Sequence, residues 1–131
     1  GVAALPALVR QVGRSAGLRT ELRTSGEPRP LPPDTEIAVY RVVQEALTNT
    51  VKHAYASCAT VRLDWAEDSV MLTVTDDGRG PSAEGGGHGL IGIRERAAAC
   101  GGSAETGRGP DGGFRVVVRL PVPAGRHAAL G

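Results

Sequence analysis

Aromatic residues are scarce in this chain, which has one Phe, one Trp and two Tyr among 131 residues. Proteins that hold single-stranded nucleic acid stack the bases on aromatic rings, and those that hold a duplex present a strongly basic surface. That surface is lacking too, because 15 Lys and Arg nearly balance 14 Asp and Glu and leave a formal net charge of +1. The composition therefore argues against a nucleic-acid partner.

Long apolar runs are also missing. Runs such as 97–100 and 116–118 are far shorter than the roughly 20 apolar residues of a membrane-spanning helix. This predicts a soluble domain without membrane contact. The chain begins with Gly and shows no leader pattern, so we expect it to be a piece of a longer protein.

Cysteine is nearly absent, with only Cys58 and Cys100. Neither stands at the close spacing that zinc ligands show, which argues against a zinc site. Both have apolar neighbours, which favours buried thiols, and a disulfide between them stays open.

What is present is a clear alternation of periodicities. It predicts helices at 4–12, 34–55 and 90–100 and strands at 18–24, 58–65, 70–76 and 114–121, with two strands in all after the last helix. Gly13 and Gly17 are expected to end the first helix, and Trp65 and Met71 are expected in the core. Short turns between consecutive strands favour a mixed, mostly antiparallel sheet covered on one face by helices, an α+β two-layer sandwich.

The same pattern suggests a division of the chain. We expect residues 1–30 to form a linker with an N-terminal helix and strand, 31–121 to form the core, and 122–131 to form a loose tail.

The long predicted helix is amphipathic. Its apolar stripe comprises Val39, Tyr40, Val43, Leu47, Val51 and Ala54. The opposite face carries Arg41, Glu45, Thr48, Asn49 and Lys52, with His53 at its edge. Asn49 is the only Asn and Lys52 the only Lys of the chain.

Three residues of this polar face suit a metal bound to phosphate. Glu45 and Asn49 are four residues apart, so their oxygens share one side of the helix and could serve Mg²⁺. Lys52 adds a compact positive charge one turn later. Taken alone, such a face is more often simply solvated.

Two glycine-rich segments follow. In TDDGRG, Asp76 ends a strand and is followed by Gly78 and Gly80, so a flat ligand could approach the backbone and donate an N–H to the carboxylate. In GGGHGL, Gly87 and Gly89 lead into a helix, whose exposed N–H groups suit phosphate. Either segment alone is compatible with a mobile surface loop.

Together these segments resemble one family. YRVVQEALTNTVKHA is similar to the N box, TDDGRGP to the G1 box and GGGHGLIGIRERAAACGG to the G2 box of the ATP-binding catalytic domain of sensor histidine kinases, within them the nitrate/nitrite-sensor class. GGFRVVVRLP resembles the family's final strand. The resemblance implies the Bergerat-type ATP-binding fold shared with gyrase and Hsp90-like ATPases.

The resemblance also implies roles for the site residues. Glu45 and Asn49 would be catalytic and lie at Mg²⁺, with Asn49 as the direct ligand, while Asp76 would bind the adenine amine. The remaining nucleotide contacts would come from Lys52 and His53 near the phosphates, Gly78 and Gly80 in the adenine pocket, and Gly87, His88, Gly89 and Leu90 at the lid. For His88, simple solvent exposure is the alternative.

The chain departs from the family in two ways. Where the family often has Thr after the glycine pair of the last strand, this chain has Phe114. A phosphoacceptor histidine of this family is followed by an acidic residue, whereas His53, His88 and His127 are each followed by Ala or Gly.

We therefore expect the cytoplasmic, ATP-binding catalytic domain of a sensor histidine kinase. It would bind Mg·ATP and donate the γ-phosphoryl group to a histidine on a separate dimerisation domain, acting with a response regulator in two-component signal transduction. The alternatives are an anti-sigma-factor serine kinase, which has a similar fold, and a degenerate nucleotide-binding docking module.

Overall fold

The structure is a computed structural model that describes residues 2–53, 56–78, 87–109 and 112–123. A short 3-10 helix at Val2–Ala4 precedes three α-helices and five strands. The helices are α1 (Leu5–Ala16), α2 (Pro33–His53) and α3 (Gly87–Ala99). The strands are β1 (Arg19–Ser25), β2 (Cys58–Trp65), β3 (Ser69–Asp76), β4 (Ser103–Arg108) and β5 (Phe114–Pro121).

The strands form one mixed sheet in the order β1-β2-β3-β5-β4. β1 and β2 are parallel, because the long helix α2 carries the chain back between them. β2–β3, β3–β5 and β5–β4 are antiparallel pairs. The predicted mixed, mostly antiparallel sheet is thus confirmed.

The core lies between the sheet and the three helices. β2 and β3 alternate strictly, and their inward residues, such as Val61, Leu63 and Leu72, are buried. They belong to one apolar cluster with Leu47 of α2 and Ile93 of α3. The helices therefore cover one face of the sheet, as the α+β two-layer prediction requires.

Some local predictions were wrong. α1 continues through Gly13 to Ala16, and Gly17, in the left-handed conformation, ends it. Gly13 is tolerated inside the helix because α1 lies against β1 there: a Cβ at this position would meet Thr20 Oγ1 at 2.6 Å. Met71 is only half-buried, because it points to the sheet face opposite the helices, where Arg119 Nη2 lies 3.5 Å from its sulfur. Trp65 is buried as expected.

The buried stripe of α2 includes Val39, Val43 and Leu47 as predicted, but it is rotated relative to the rest of the predicted stripe. Val42, Ala46 and Thr50 are buried, whereas Tyr40 is half-buried and Val51 is 46% exposed. The reason is that α2 packs against α1 and α3 as well as the sheet, and the arc it buries is set by those neighbours. Ala54 lies outside the described residues.

Two further points concern cysteine and membranes. Cys58 and Cys100 are both half-buried thiols rather than fully buried ones, and they form no disulfide with each other. Among the described residues, no helix has the length and apolar character needed to cross a membrane.

Candidate functional site

Asp76 is the centre of the candidate site. It is the last residue of β3 and only 7% exposed. Its Oδ1 accepts hydrogen bonds from the backbone N–H of Gly78 at 2.9 Å and of Phe114 at 3.2 Å. Its Oδ2 lies 3.1 Å from the hydroxyl oxygen of Thr50, which donates to it. Three donors from three parts of the chain thus fix the plane of the carboxylate.

These contacts explain why a carboxylate is tolerated there. A buried polar group is costly unless it is hydrogen-bonded, and a carboxylate offers about four acceptor positions. Three are used by Gly78, Phe114 and Thr50. An acceptor position on Oδ2 remains for a donor from a ligand, which suits an exocyclic amine.

Gly113 lies in the turn before β5, which approaches Asp76 too closely for a larger residue. A Cβ at residue 113 would collide with the carbonyl oxygen of Asp76 and come within 2.8 Å of its Oδ1. Any larger residue would therefore displace the turn that brings the Phe114 N–H to the carboxylate. The sequence shows this glycine only as part of the glycine pair before the last strand, because Asp76, which it contacts, is far away in the chain.

Thr50 is a second candidate site residue that the sequence did not indicate. It belongs to neither the predicted apolar stripe nor the predicted polar face of the helix. The structure buries it at 4% exposure, with its hydroxyl 3.2 Å from the Ala46 carbonyl and 3.1 Å from Asp76. Thr50 and Asn49 are neighbours in the chain. The contact therefore brings the turn of α2 that carries the predicted Mg²⁺ ligand close to Asp76, the predicted adenine contact.

Asp77 holds the end of β3 against the start of β2. Its Oδ1 accepts the backbone N–H groups of Ser57 at 2.8 Å and Cys58 at 2.9 Å. These bonds, that of Cys58 foremost, hold the pKa of the Asp77 carboxyl below its usual range. The strand end that presents Asp76 is thereby anchored from both sides.

The polar residues of α2 differ in exposure and in the direction of their side chains. Glu45 and Asn49 are half-buried and Lys52 is exposed. The Glu45 carboxylate is turned toward α3, where its Oε1 accepts from Arg96 Nε at 2.8 Å. His53 is the last residue of α2.

The described parts of the two glycine-rich segments lie after β3 and at the start of α3. The Gly78 N–H contacts Asp76, and Gly80 lies outside the described residues. Gly87, His88 and Gly89 open α3, whose first-turn N–H groups have no partner within the helix. Leu90 is half-buried and packs against the core.

Phe114 contributes its backbone rather than a side-chain hydroxyl. Its N–H reaches Asp76 Oδ1 at 3.2 Å, and its ring packs on the core cluster. The side-chain hydroxyl at this site comes from Thr50 instead.

The donor set constrains a bound metal. Within the part of the chain that the structure describes, no three His, Cys, Asp or Glu side chains are grouped to hold an ion. Among those residues, α2 offers the amide oxygen of Asn49, while the Glu45 carboxylate already accepts from Arg96. A site with few protein ligands fits Mg²⁺, which keeps waters and takes substrate phosphates as ligands.

The mixed five-stranded sheet with helices on one face defines an α+β domain, and the buried, oriented Asp76 at a strand end is its candidate ligand contact. Residues 34–124 match the model of the family described as histidine kinase-, DNA gyrase B-, and HSP90-like ATPase. The chain belongs to this family, as an ATP-binding catalytic domain of the histidine kinase type. The predicted fold and family are confirmed.

Individual relatives agree. The chain is 36% identical over 123 residues to the sensor histidine kinase YxjM of Bacillus subtilis, an alignment that covers 93% of this chain and 30% of YxjM. The chain thus spans less than a third of that relative's length.

Solved structures agree as well. The ATP-binding domain of PrrB from Mycobacterium tuberculosis aligns with a TM-score of 0.63 at 27% identity, covering 89% of this chain and 93% of that domain. The blue-light activated histidine kinase of Erythrobacter litoralis EL346 aligns with a TM-score of 0.73 at 21% identity, covering 92% of this chain and 44% of that one. The latter shows the fold alone.

Proposed function

We propose that this chain binds Mg·ATP and donates the γ-phosphoryl group to a histidine on a separate dimerisation domain. The observation that carries the proposal is the buried Asp76 carboxylate, which three donors orient and which keeps an acceptor position open on Oδ2. Adenine presents the N–H donor that this position needs. The names of the relatives favour a sensor histidine kinase over the anti-sigma-factor alternative.

Each site residue has a role in this proposal. Asp76 accepts the adenine amine, Gly78 and Gly80 leave room for the ring, and Asn49 is the direct Mg²⁺ ligand with Glu45 beside it. Phosphate contacts are assigned to Lys52 and His53 from α2, and to Gly87, His88, Gly89 and Leu90 at the start of α3. Exposed N–H groups at a helix start favour phosphate.

The chemistry is mainly a matter of positioning. A bound Mg²⁺ would neutralise charge on the phosphate oxygens, and the residues of the chain hold the nucleotide and direct its γ-phosphate outward. None of the three histidines has the acidic neighbour of a phosphoacceptor. The acceptor is therefore supplied in cis or in trans by a dimerisation domain, and a response regulator receives the phosphoryl group afterwards.

Calorimetric titration with Mg·ATP tests the proposal. Asp76→Asn replaces one acceptor oxygen with an NH₂ group, so the affinity should fall roughly tenfold to a hundredfold. Asp68→Asn, the same change in the exposed β2–β3 turn, serves as the matched control and should bind as the wild type does. GTP should bind far more weakly than ATP, because guanine has an acceptor oxygen where adenine has the amine.

Two outcomes would contradict the proposal. Equal affinities of wild type and Asp76→Asn would remove the adenine assignment. Absence of any ATP binding by the wild type would remove the function itself.

A further inference from the structure

The Glu45 carboxylate is held between two helices. Its Oε1 accepts a hydrogen bond from Arg96 Nε of α3 at 2.8 Å. Its Oε2 lies over Gly92, where a Cβ would come within 2.8 Å of that oxygen. The side chains of Arg96 and Glu45 are 39% and 27% exposed, so the pair is partly shielded from solvent. Both oxygens of Glu45 thus face α3.

Gly92 has a specific reason to be glycine. It lies in the middle of α3, where Gly costs about 1 kcal/mol relative to Ala. The backbone is helical there, so no unusual conformation requires a glycine. What the position does require is a surface without a side chain, against which the end of Glu45 can lie.

The same contacts align the two helices. Arg96 meets Glu45 near the middle of α2, and Cys100 Sγ at the end of α3 lies 3.7 Å from the Asp34 carbonyl at the start of α2. The helices therefore run in opposite directions. The start of α3 at Gly87 consequently lies toward the end of α2 that carries Asn49 and Lys52.

We propose that Arg96 and Gly92 are positioning residues that orient Glu45 and thereby set where the start of α3 stands relative to Asn49. This inference rests on the proposed function, because it concerns how the metal and phosphate side of that site is assembled. Arg96 acts through Glu45 and does not touch the nucleotide. Gly92 provides the bare helix surface against which the carboxylate is fixed.

A double-mutant cycle separates action through Glu45 from direct action. Mg·ATP affinity is measured by calorimetry for wild type, Arg96→Gln, Glu45→Ala and the double variant. Loss of a partly shielded ion pair should make Arg96→Gln bind about fivefold more weakly. In the Glu45→Ala background, which has no acceptor for Arg96, the Arg96 substitution should cause no further loss.

Two variants refine the cycle. Arg96→Lys keeps the charge and should recover part of the affinity. Arg23→Gln removes an ion pair of the same kind, Arg23 Nε to Glu21 Oε1 at 2.8 Å on β1, and should bind ATP as the wild type does.

Gly92→Ala provides a second, independent test. The new methyl group must push Glu45 aside, but Ala is the better helix former, so the unfolding temperature should be unchanged or raised. Mg·ATP affinity should nevertheless fall at least about threefold, which is a typical effect of losing a partly exposed ion pair. In a Glu45→Ala background, where nothing remains to be displaced, the Gly92 substitution should have no effect.

Each outcome is decisive. Unaltered affinity in Arg96→Gln overturns the inference. The same loss in the Glu45→Ala background also overturns it, because Arg96 would then act without Glu45. Tighter binding by Arg96→Gln would mean that the ion pair opposes nucleotide binding, which also overturns the inference. If the wild type binds Mg·ATP and Asp76→Asn does not, while Arg96→Gln binds normally, the proposed function stands and only this inference fails.

Discussion

Thr50 and Phe114 hold the Asp76 carboxylate from two different parts of the chain. At residue 114 the chain keeps only the backbone N–H that reaches Asp76 Oδ1. The hydroxyl arrives from the opposite side, where Thr50 donates to Oδ2. The two oxygens of Asp76 are thus oriented independently, one by the sheet and one by α2.

Substitution of Thr50 by Val should reveal the value of this contact. Val has the same shape, so only the hydroxyl is lost, and we expect stability to fall by about 1 kcal/mol and Mg·ATP affinity to fall about fivefold. Thr48→Val is a closely matched control, because Thr48 makes the same bond to the carbonyl four residues earlier, at 2.7 Å from Gln44, and is exposed. Chemical denaturation and calorimetry measure the two effects. Equal losses in both variants would show that the bond to Asp76 contributes nothing.

At the scale of elements, Arg29 joins three parts of the fold. It belongs to the connector between β1 and α2. Its Nη2 donates to the carbonyls of Ala66 at 2.6 Å and Glu67 at 2.9 Å, and its Nε to that of Pro123 at 3.0 Å. Its guanidinium also lies over the Trp65 ring, 5.6 Å from the centroid. The proline-rich connector is thereby tied to the β2–β3 turn and to the chain after β5.

Loss of this side chain should therefore destabilise the whole domain. We expect Arg29→Ala to lower the free energy of unfolding by about 2 kcal/mol, since it removes three hydrogen bonds and a cation–π contact. Arg23→Ala, which breaks only an exposed pair on β1, should change it by less than about 1 kcal/mol. Urea denaturation compares the two, and equal midpoints would contradict the role assigned to Arg29.

At the scale of the molecule, the candidate site lies at one end of the sheet. The end of β3 meets the start of β2 and the start of β5 there, as the pairings Ala59 with Asp76 and Thr75 with Arg115 show. The sequence predicted the strands and helices from their periodicity, and it placed Asp76 at a strand end. It could not predict that β5 pairs with β3 while β4 lies outside, so the contacts of Gly113 and Phe114 with Asp76 were hidden. The rotation of α2 that buries Thr50 was hidden for the same reason, because packing partners decide it.

Acid unfolding should report on both ends of this sheet at once. Hydrogen bonds lower the pKa of Asp77, mainly through the Cys58 N–H, and that of Asp64, mainly through the Ser25 hydroxyl and then Arg62. In the unfolded chain the pKa of these carboxyls is about 3.9. A pKa that is lower in the folded state means that the stabilisation is fully present above the unfolded value and is lost as the pH falls through the folded one. Stability should therefore decrease below about pH 4.

Asp77→Asn and Asp64→Asn test this pH dependence directly. Each variant lacks one of the titrating groups, so its unfolding free energy should depend less steeply on pH between about 5 and 2. The two carboxylates lie near opposite ends of β2, ~20 Å apart at the rise of a strand, so their effects should add in the double variant. Denaturation curves recorded at a series of pH values give the slopes. Wild-type and variant profiles that run parallel through this range would mean that neither carboxylate contributes to acid sensitivity, and that its origin lies elsewhere in the molecule.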